Sequence, residues 1–411
     1  MAGFRENLCE PLAGARGTQL KQDNPALEIA RTPMIFVVTQ SERRANGGVE
    51  SITQILQNLR RVKPIVITQM ETAAVQRWRE ADCEVHVWDF GAESLRMPAV
   101  LRANLRMFRM VRSGAFNVVH CNDISALWHT AFGARLGGAQ VIFNVRNIKP
   151  AGQRYGWRWQ LARRISQRQL VLSREMQNEL GRRLGVSNGR RHDIDYIYSA
   201  VNAESFSPLP AASRAALRER LGIAPECFAI GCIGPFDPRK AQLDLITQAG
   251  PRLKRLLPQA RFFFIGDFAP QKDDYARRCL SAARELGIED SISFVGFSRD
   301  VAEWYRALDL VVVASRNEGL ARSMIESLAC GTPVVSFDVC SAREILQEHR
   351  CGLVVPQGDY QELVRAIASL AEQGDLRRSF SVAGVSSSRE LFDPREIVAK
   401  YEQLYFSLTS K

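Results

Sequence analysis

Short apolar runs alternate with amphipathic stretches along the whole chain. In the first half "MIFVVTQ", "PIVITQM", "EVHVWDF", "NVVHCN", "QVIFNVR", "QLVLS" and "DYIYSAV" are strand candidates. In the second half they are "FAIGCIG", "RFFFIGD", "SISFVGF", "LVVVAS", "PVVSFD" and "GLVVP". Most of these runs are apolar at consecutive positions, the pattern of a strand covered on both faces. With helical segments between them, they predict parallel sheets flanked by helices. The alternation breaks at "NAESFSPLPAASRAALRERLG", where Pro208 and Pro210 precede a new helix. The expected fold class is therefore α/β, with two Rossmann-like doubly wound parallel-sheet domains facing a cleft. The first domain is expected over 33–205 and the second over 206–391, with a closing helix over 392–411. Residues 1–32 lack the continuous apolar core of a secretory signal and are expected to be a loose extension. In such sheets ligands bind beyond the carboxyl ends of the strands, which directs attention to the cleft.

Composition leaves that picture intact. The 411 residues suit two domains of about 200 residues each. A hydrophobic share of 46% and a charged share of 24% are those of an ordinary globular chain. No apolar run approaches the ~18 residues that span a bilayer. The nine cysteines are scattered, with no CxxC pair and no histidine at metal spacing, which suggests reduced thiols in a cytoplasmic protein.

Charge changes more. A formal net charge of +11 and a pI near 9.4 suggest an anionic partner without naming it. From Arg154 to Arg191 there are ten arginines against only Glu175 and Glu179, with Tyr155, Trp157 and Trp159 interleaved. In "LRANLRMFRMVR", Arg102, Arg106 and Arg109 stand at helical spacing beside Leu101, Leu105 and Phe108. Each cluster alone fits a solvated helix face equally well; together they point toward an anionic membrane surface. The expected location is cytoplasmic, peripheral on the inner face of the plasma membrane. No DNA- or RNA-binding motif supports a nucleic-acid partner, although a non-catalytic nucleic-acid- or anion-binding protein is the rival on charge alone.

Motifs exclude several chemistries. No GxGxxG follows the first strand, GxxxxGK[ST] and HExxH are missing, and no GxSxG elbow joins a strand to a helix. No Asp-x-Asp near a strand end suggests a metal site. The first domain carries "SERRANGGVESITQILQNL", in which Gly47 and Gly48 join a strand to a helix. Such a turn can bring backbone amides close to a phosphate, or it can be a tight turn and nothing else. The richest stretch is "LDLVVVASRNEGLARSMIESLACGTPVVSFD", residues 308–338. A buried strand leads into a loop with Glu318 and Gly319, then a helix bearing Glu326 that ends at Cys330-Gly331-Thr332-Pro333.

That stretch resembles the nucleotide-sugar-binding domain of family 4 glycosyltransferases, of the GT-B fold. The Glu318–Glu326 spacing matches the family's E-x7-E motif, set between a strand and "ESLACGTPVV". The resemblance extends over 229 to about 410, and more loosely over the first half through "NGGVE", "VVHCND" and "VLSREM". It implies a transferase that moves a sugar from a nucleotide-sugar donor to a glycan or lipid-linked acceptor, with retention, without metal or cofactor. Cell-surface polysaccharide or lipopolysaccharide synthesis is the family-level expectation; a nucleotide-sugar epimerase is the rival within the fold class. Glu326 is implied as the ribose ligand and Glu318 as the residue near the donor sugar. Gly319, Leu320 and Ala321 would offer amides to the diphosphate, and Phe297 joins the donor-binding candidates with Gly47 and Gly48. The family's G-R-L-x-x-x-K-G is matched by "GPFDPRKAQ": Lys240 aligns with the lysine, but Pro235 replaces the arginine and Ala241 the glycine. Arg239 is the candidate to compensate. Arg146 and Asn147 stand about where members often have a histidine, which leaves His120 in "VVHCND" as the nearest candidate for a polar cleft role. The hinge pattern appears in "YIYSAVNAESFSP" with Ser199 and Ala200 in place of Asn-Gly.

Overall fold

The computed structural model describes residues 31–40, 47–90, 97–114, 116–149, 153–185 and 193–409. The first sheet holds seven strands: β1 (Thr32–Val37), β2 (Val62–Thr68), β3 (Glu84–Val87), β4 (Val118–Cys121), β5 (Gln140–Asn144), β6 (Arg168–Val171) and β7 (Ile194–Tyr196). Its order is β3-β2-β1-β4-β5-β6-β7, with every pair parallel. The second holds β8 (Phe228–Ile233), β9 (Ala260–Ile265), β10 (Ile292–Gly296), β11 (Leu310–Val313), β12 (Val334–Phe337) and β13 (Gly352–Val355). It runs β10-β9-β8-β11-β12-β13, again all parallel. In both sheets the order reverses beside the first strand of the domain. That switch point opens a crevice at the carboxyl ends.

The strands form where the sequence is apolar without alternation. β4, β11 and β12 are buried at every position, as helices on both faces require. β7 is shorter than the apolar run suggested: Tyr198 and Ser199 leave the sheet, and Ser199 Oγ meets Ser51 Oγ at 3.0 Å.

The chain crosses to the second domain after Val201 and starts the helix Ala211–Arg220 behind Pro210. It crosses back at Phe392, whose carbonyl accepts the Val201 N–H at 3.0 Å. The helix Pro394–Thr409 then packs on the first domain. Its Glu402 accepts the Arg60 and Arg61 N–H groups at 2.8 and 2.7 Å, and Arg61 lies over the Phe406 ring.

Candidate active site

The two glutamates of the 308–338 stretch sit differently. β11 is fully buried, and the loop after it brings Glu318 to the cleft with only 7% of its surface exposed. Lys240 Nζ lies 2.7 Å from Glu318 Oε1 and Arg239 Nη1 3.4 Å. Burial works to raise the Glu318 carboxyl; the charges of Lys240 and Arg239 more than offset it and hold it below the usual carboxylate range. Glu318 is therefore an anion in a nearly dry setting.

The basic pair reaches it through a tight turn. Asp237 Oδ1 caps the Pro238–Lys240 turn by accepting the Arg239 N–H at 2.8 Å. Ala241 follows with φ 58°, ψ 30°, the left-handed region that favours the glycine it replaces. Arg239 faces inward, where its Nη1 also donates to the Asn317 carbonyl at 3.3 Å. Arg239 thus sets a guanidinium near Glu318, one residue before Lys240.

Gly319 has a steric reason to be glycine. A Cβ there would stand 2.0 Å from the Arg146 carbonyl oxygen, so this loop meets the other domain backbone to backbone. Asn317 Nδ2 donates across the same seam to the Ile148 carbonyl at 2.9 Å. Gly47, at the start of the helix Gly47–Asn58, faces Arg322: an added Cβ would lie 3.2 Å from Arg322 Cδ. The glycine turn of the first domain and the motif helix of the second, Arg322–Ala329, thereby close on one another.

Glu326, 8% exposed, is already engaged. Arg322 Nε and Nη2 donate to its Oε1 at 3.0 and 2.6 Å, and the Tyr305 hydroxyl donates to Oε2 at 3.0 Å. A carboxylate offers about four acceptor positions, and with three taken by Arg322 and Tyr305 one is left, enough for a single hydroxyl. Leu320 and Ala321 are buried, and no side chain caps the helix they lead into. Gly48 is the second residue of its helix, and Phe297 lies just past β10, 43% exposed.

His120 is a correction. Its side chain is 1% exposed, packed among Phe36, Tyr401 and Tyr405, with Nδ1 at 2.8 Å from the Tyr405 hydroxyl. Burial, aided by the nearby Arg146 charge, pushes its pKa down to about 3. A neutral imidazole walled in by the terminal helix is not a cleft acid or base. A second correction concerns Asp-x-Asp: Asp193 and Asp195 form one at the amino end of β7, away from the carboxyl ends, and Asp195 lies 3.4 Å from Arg168.

Two residues escaped sequence reasoning. Arg322 stands one helical turn before Glu326, a spacing that could have been noticed. Tyr305, on the helix Val301–Ala307, reaches Glu326 from another element, and no local pattern announces it.

Two family models match the chain. The one described as "Glycosyl transferase 4-like domain" covers residues 46–196, and "Glycosyl transferases group 1" covers 227–373. The chain belongs to the family 4 glycosyltransferases of the GT-B fold. Putative glycosyltransferase EpsD of Bacillus subtilis is 27% identical over 225 residues, 54% of this chain and 57% of that protein. D-inositol 3-phosphate glycosyltransferase of Thermobispora bispora is 31% identical over 198 residues, 47% of this chain and 45% of that protein. The chain thus spans about half the length of the curated relatives it matches. HepE of Anabaena, solved with UDP and glucose, superimposes with a TM-score of 0.75 at 21% identity, covering 92% of this chain and 99% of that one. That likeness concerns the fold. As a family member, the chain carries its E-x7-E carboxylates where the sheet switch point faces the other domain.

Proposed function

We propose that this glycosyltransferase takes a sugar from a nucleoside-diphosphate donor bound mainly to the second domain and passes it, with retention, to a glycan or lipid-linked acceptor held by the first. The observation that carries this is the Glu318–Lys240–Arg239 cluster beside Gly319, in the seam between the domains. Lys240 and Arg239 suit a diphosphate, whose charge grows as it leaves; cations preorganised in a dry site stabilise that charge most where it develops. Glu318 keeps both cations oriented and offers an acceptor to sugar hydroxyls. Glu326 accepts one ribose hydroxyl at its remaining acceptor position, a charge-assisted hydrogen bond of the stronger kind. HepE was solved with UDP and glucose, which makes a uridine donor the first to try.

The acceptor is proposed to arrive at an anionic membrane, met from the cytoplasmic side. No helix among the described residues is long and apolar enough to cross a bilayer. The helix Met97–Gly114 exposes Met97, Leu101 and Leu105 at 65, 63 and 49%, with exposed Arg102, Arg109 and Arg112 alongside. Charge and apolarity on one surface helix fit an interfacial contact with acidic lipids.

A panel of nucleotide sugars, scored by thermal shift and donor hydrolysis, tests the transferase reading: one donor should stabilise the protein and be consumed. If none does either, the reading fails. The same assay in EDTA should keep its rate, and loss restored by manganese or magnesium would overturn the metal-free part.

A further inference from the structure

Arg322 opens the motif helix, and Glu326 stands one turn later on the same face. The pair is nearly dry, with side chains 15 and 11% exposed. Arg322 Nε and Nη2 both donate to Glu326 Oε1, at 3.0 and 2.6 Å, and the Tyr305 hydroxyl occupies a position on Oε2 at 3.0 Å. One acceptor position is left, so Glu326 by itself takes one hydroxyl of a vicinal diol and leaves its neighbour unread. On the guanidinium that holds Oε1, Nη1 is buried and has no hydrogen-bond partner among the described residues. The side chain is also backed from the first domain: a Cβ added to Gly47 would stand 3.2 Å from Arg322 Cδ, so little room is left for the stem to swing away. An N–H shut off from water without an acceptor is unfavourable, and a ligand oxygen removes that penalty. A hydroxyl both donates and accepts, so two neighbouring hydroxyls match one acceptor and one donor side by side.

We propose that Arg322 is the second ribose ligand and a specificity-determining residue for the donor. Glu326 takes one hydroxyl of the ribose diol at its remaining acceptor position, and Arg322 Nη1 donates to the other. Because the same arginine fills two positions of Glu326, it both limits the carboxylate to one hydroxyl and reads the second. The rigid fork of a guanidinium suits this double duty, since Nε, Nη2 and Nη1 lie in one plane at fixed spacing. The donor class is then a ribonucleotide, with both hydroxyls needed. This deepens the transferase reading and rests on it for the presence of a nucleotide in the cleft.

The test measures binding of nucleoside diphosphates to the full-length protein by calorimetry. UDP, ADP, GDP and CDP are compared first, and the one bound tightest is then tested in its 2′-deoxy and 3′-deoxy forms. The proteins are wild type, E326Q and R322Q/E326Q, each checked for folding by thermal unfolding. The double variant removes both members of the ion pair together, so neither is left as a lone buried charge. In wild type each deoxy form should bind about tenfold more weakly than the ribonucleotide, one charge-assisted hydrogen bond being lost in each. In E326Q one of these penalties should shrink to about threefold or less while the other keeps its size, and in R322Q/E326Q both should be small. A wild type that tolerates either deoxy form leaves that hydroxyl unread, which overturns the proposal. Loss of both penalties in E326Q alone overturns it too, because Glu326 would then read the whole diol. A penalty that survives the double variant has its reader elsewhere, with the same consequence. In each of these cases the nucleotide still binds and the transferase reading stands. If no nucleoside diphosphate binds wild type, the transferase reading fails and the ribose role of Arg322 fails with it.

Discussion

Glu318 is a carboxylate kept charged by two cations in a place that would otherwise neutralise it. Removing Lys240 should therefore do more than weaken diphosphate binding. Breaking a buried ion pair by deleting one partner costs about 3–5 kcal/mol, and Arg239, farther off and 40% exposed, recovers only part of that. K240A is expected to lower stability by about 2–3 kcal/mol in urea unfolding, and the E318Q/K240M double variant to regain most of it; additive losses would mean that the pair is not a unit. The pH dependence has a defined sign. A folded-state value below the unfolded one contributes stability that is present above the unfolded carboxylate value of about 4.3 and is lost as pH falls through the lowered folded value. E318Q should accordingly flatten the acid limb of the stability profile and leave the neutral region nearly unchanged in slope. In kinetics E318Q should reduce turnover. E326Q should instead weaken donor affinity by roughly tenfold, the worth of one charge-assisted hydrogen bond. At this scale the sequence singled out Glu318 and Lys240 from separate loops, and the fold brings them within 2.7 Å. It misled at His120: a histidine at the end of an apolar strand looks alike whether it opens on a cleft or on a helix returning from the far end of the chain.

Helices and strands were legible for a different reason. Among the described residues the thirteen apolar runs coincide with thirteen strands, most sharply in β4, β11 and β12, where burial on both faces leaves little room for polar positions. What the pattern could not convey is how helices meet. The helices Met97–Gly114 and Ile124–Gly137 cross so closely that a Cβ on Gly133 would lie 1.9 Å from the Asn104 carbonyl oxygen. Asn104 Oδ1 accepts the Gly133 N–H at 2.9 Å, and its Nδ2 donates to the Trp128 carbonyl at 3.0 Å. This contact locks the inner face of Met97–Gly114 and leaves Leu101, Leu105 and the arginines outward. Arg106, exposed like the others, also stacks over Trp88 at 4.6 Å. The full-length protein should sediment with vesicles containing acidic lipid and release as salt rises, because the screening length falls from ~10 Å at 0.1 M to ~3 Å at 1 M. L101Q/L105Q and R102Q/R109Q should each weaken that binding severalfold without changing thermal stability, since none of the four side chains is buried. Equal sedimentation with neutral vesicles would remove the electrostatic half of the idea.

The whole molecule depends on contacts that neither half contains alone. Glu344, 4% exposed in the second domain, accepts the Arg174 and Glu175 N–H groups at 3.1 and 2.6 Å at the start of the helix Arg174–Arg183, and also the Tyr198 hydroxyl. The helix returns the contact: Glu175 Oε2 accepts the Ser341 N–H at 2.7 Å, and Arg174 pairs with Glu348 at 2.5 Å. A carboxylate of one domain thus neutralises the positive helix end of the other. Nothing in "SAREILQEH" predicts this, because the partner lies some 170 positions earlier and is a set of backbone amides. In E344Q an amide replaces one acceptor oxygen and can turn a donor toward donors already there, so the seam should loosen while each domain keeps its core. The expected result is a larger radius of gyration in solution scattering and faster protease cleavage near 201–210. Donor affinity should be lower as well, because the cleft residues Gly319 and Arg146 are set by the same closure. Stability of the whole chain should fall by about 1–3 kcal/mol, the cost of leaving buried donors unmatched. Saturating donor should return the radius toward the wild-type value, since a ligand bound across the seam favours the closed form by its difference in affinity for the two states. An E344Q protein with unchanged radius, protease pattern and donor affinity would show that the domains are held by the backbone contacts at Gly319 and Asn317, with Glu344 serving only as a local cap.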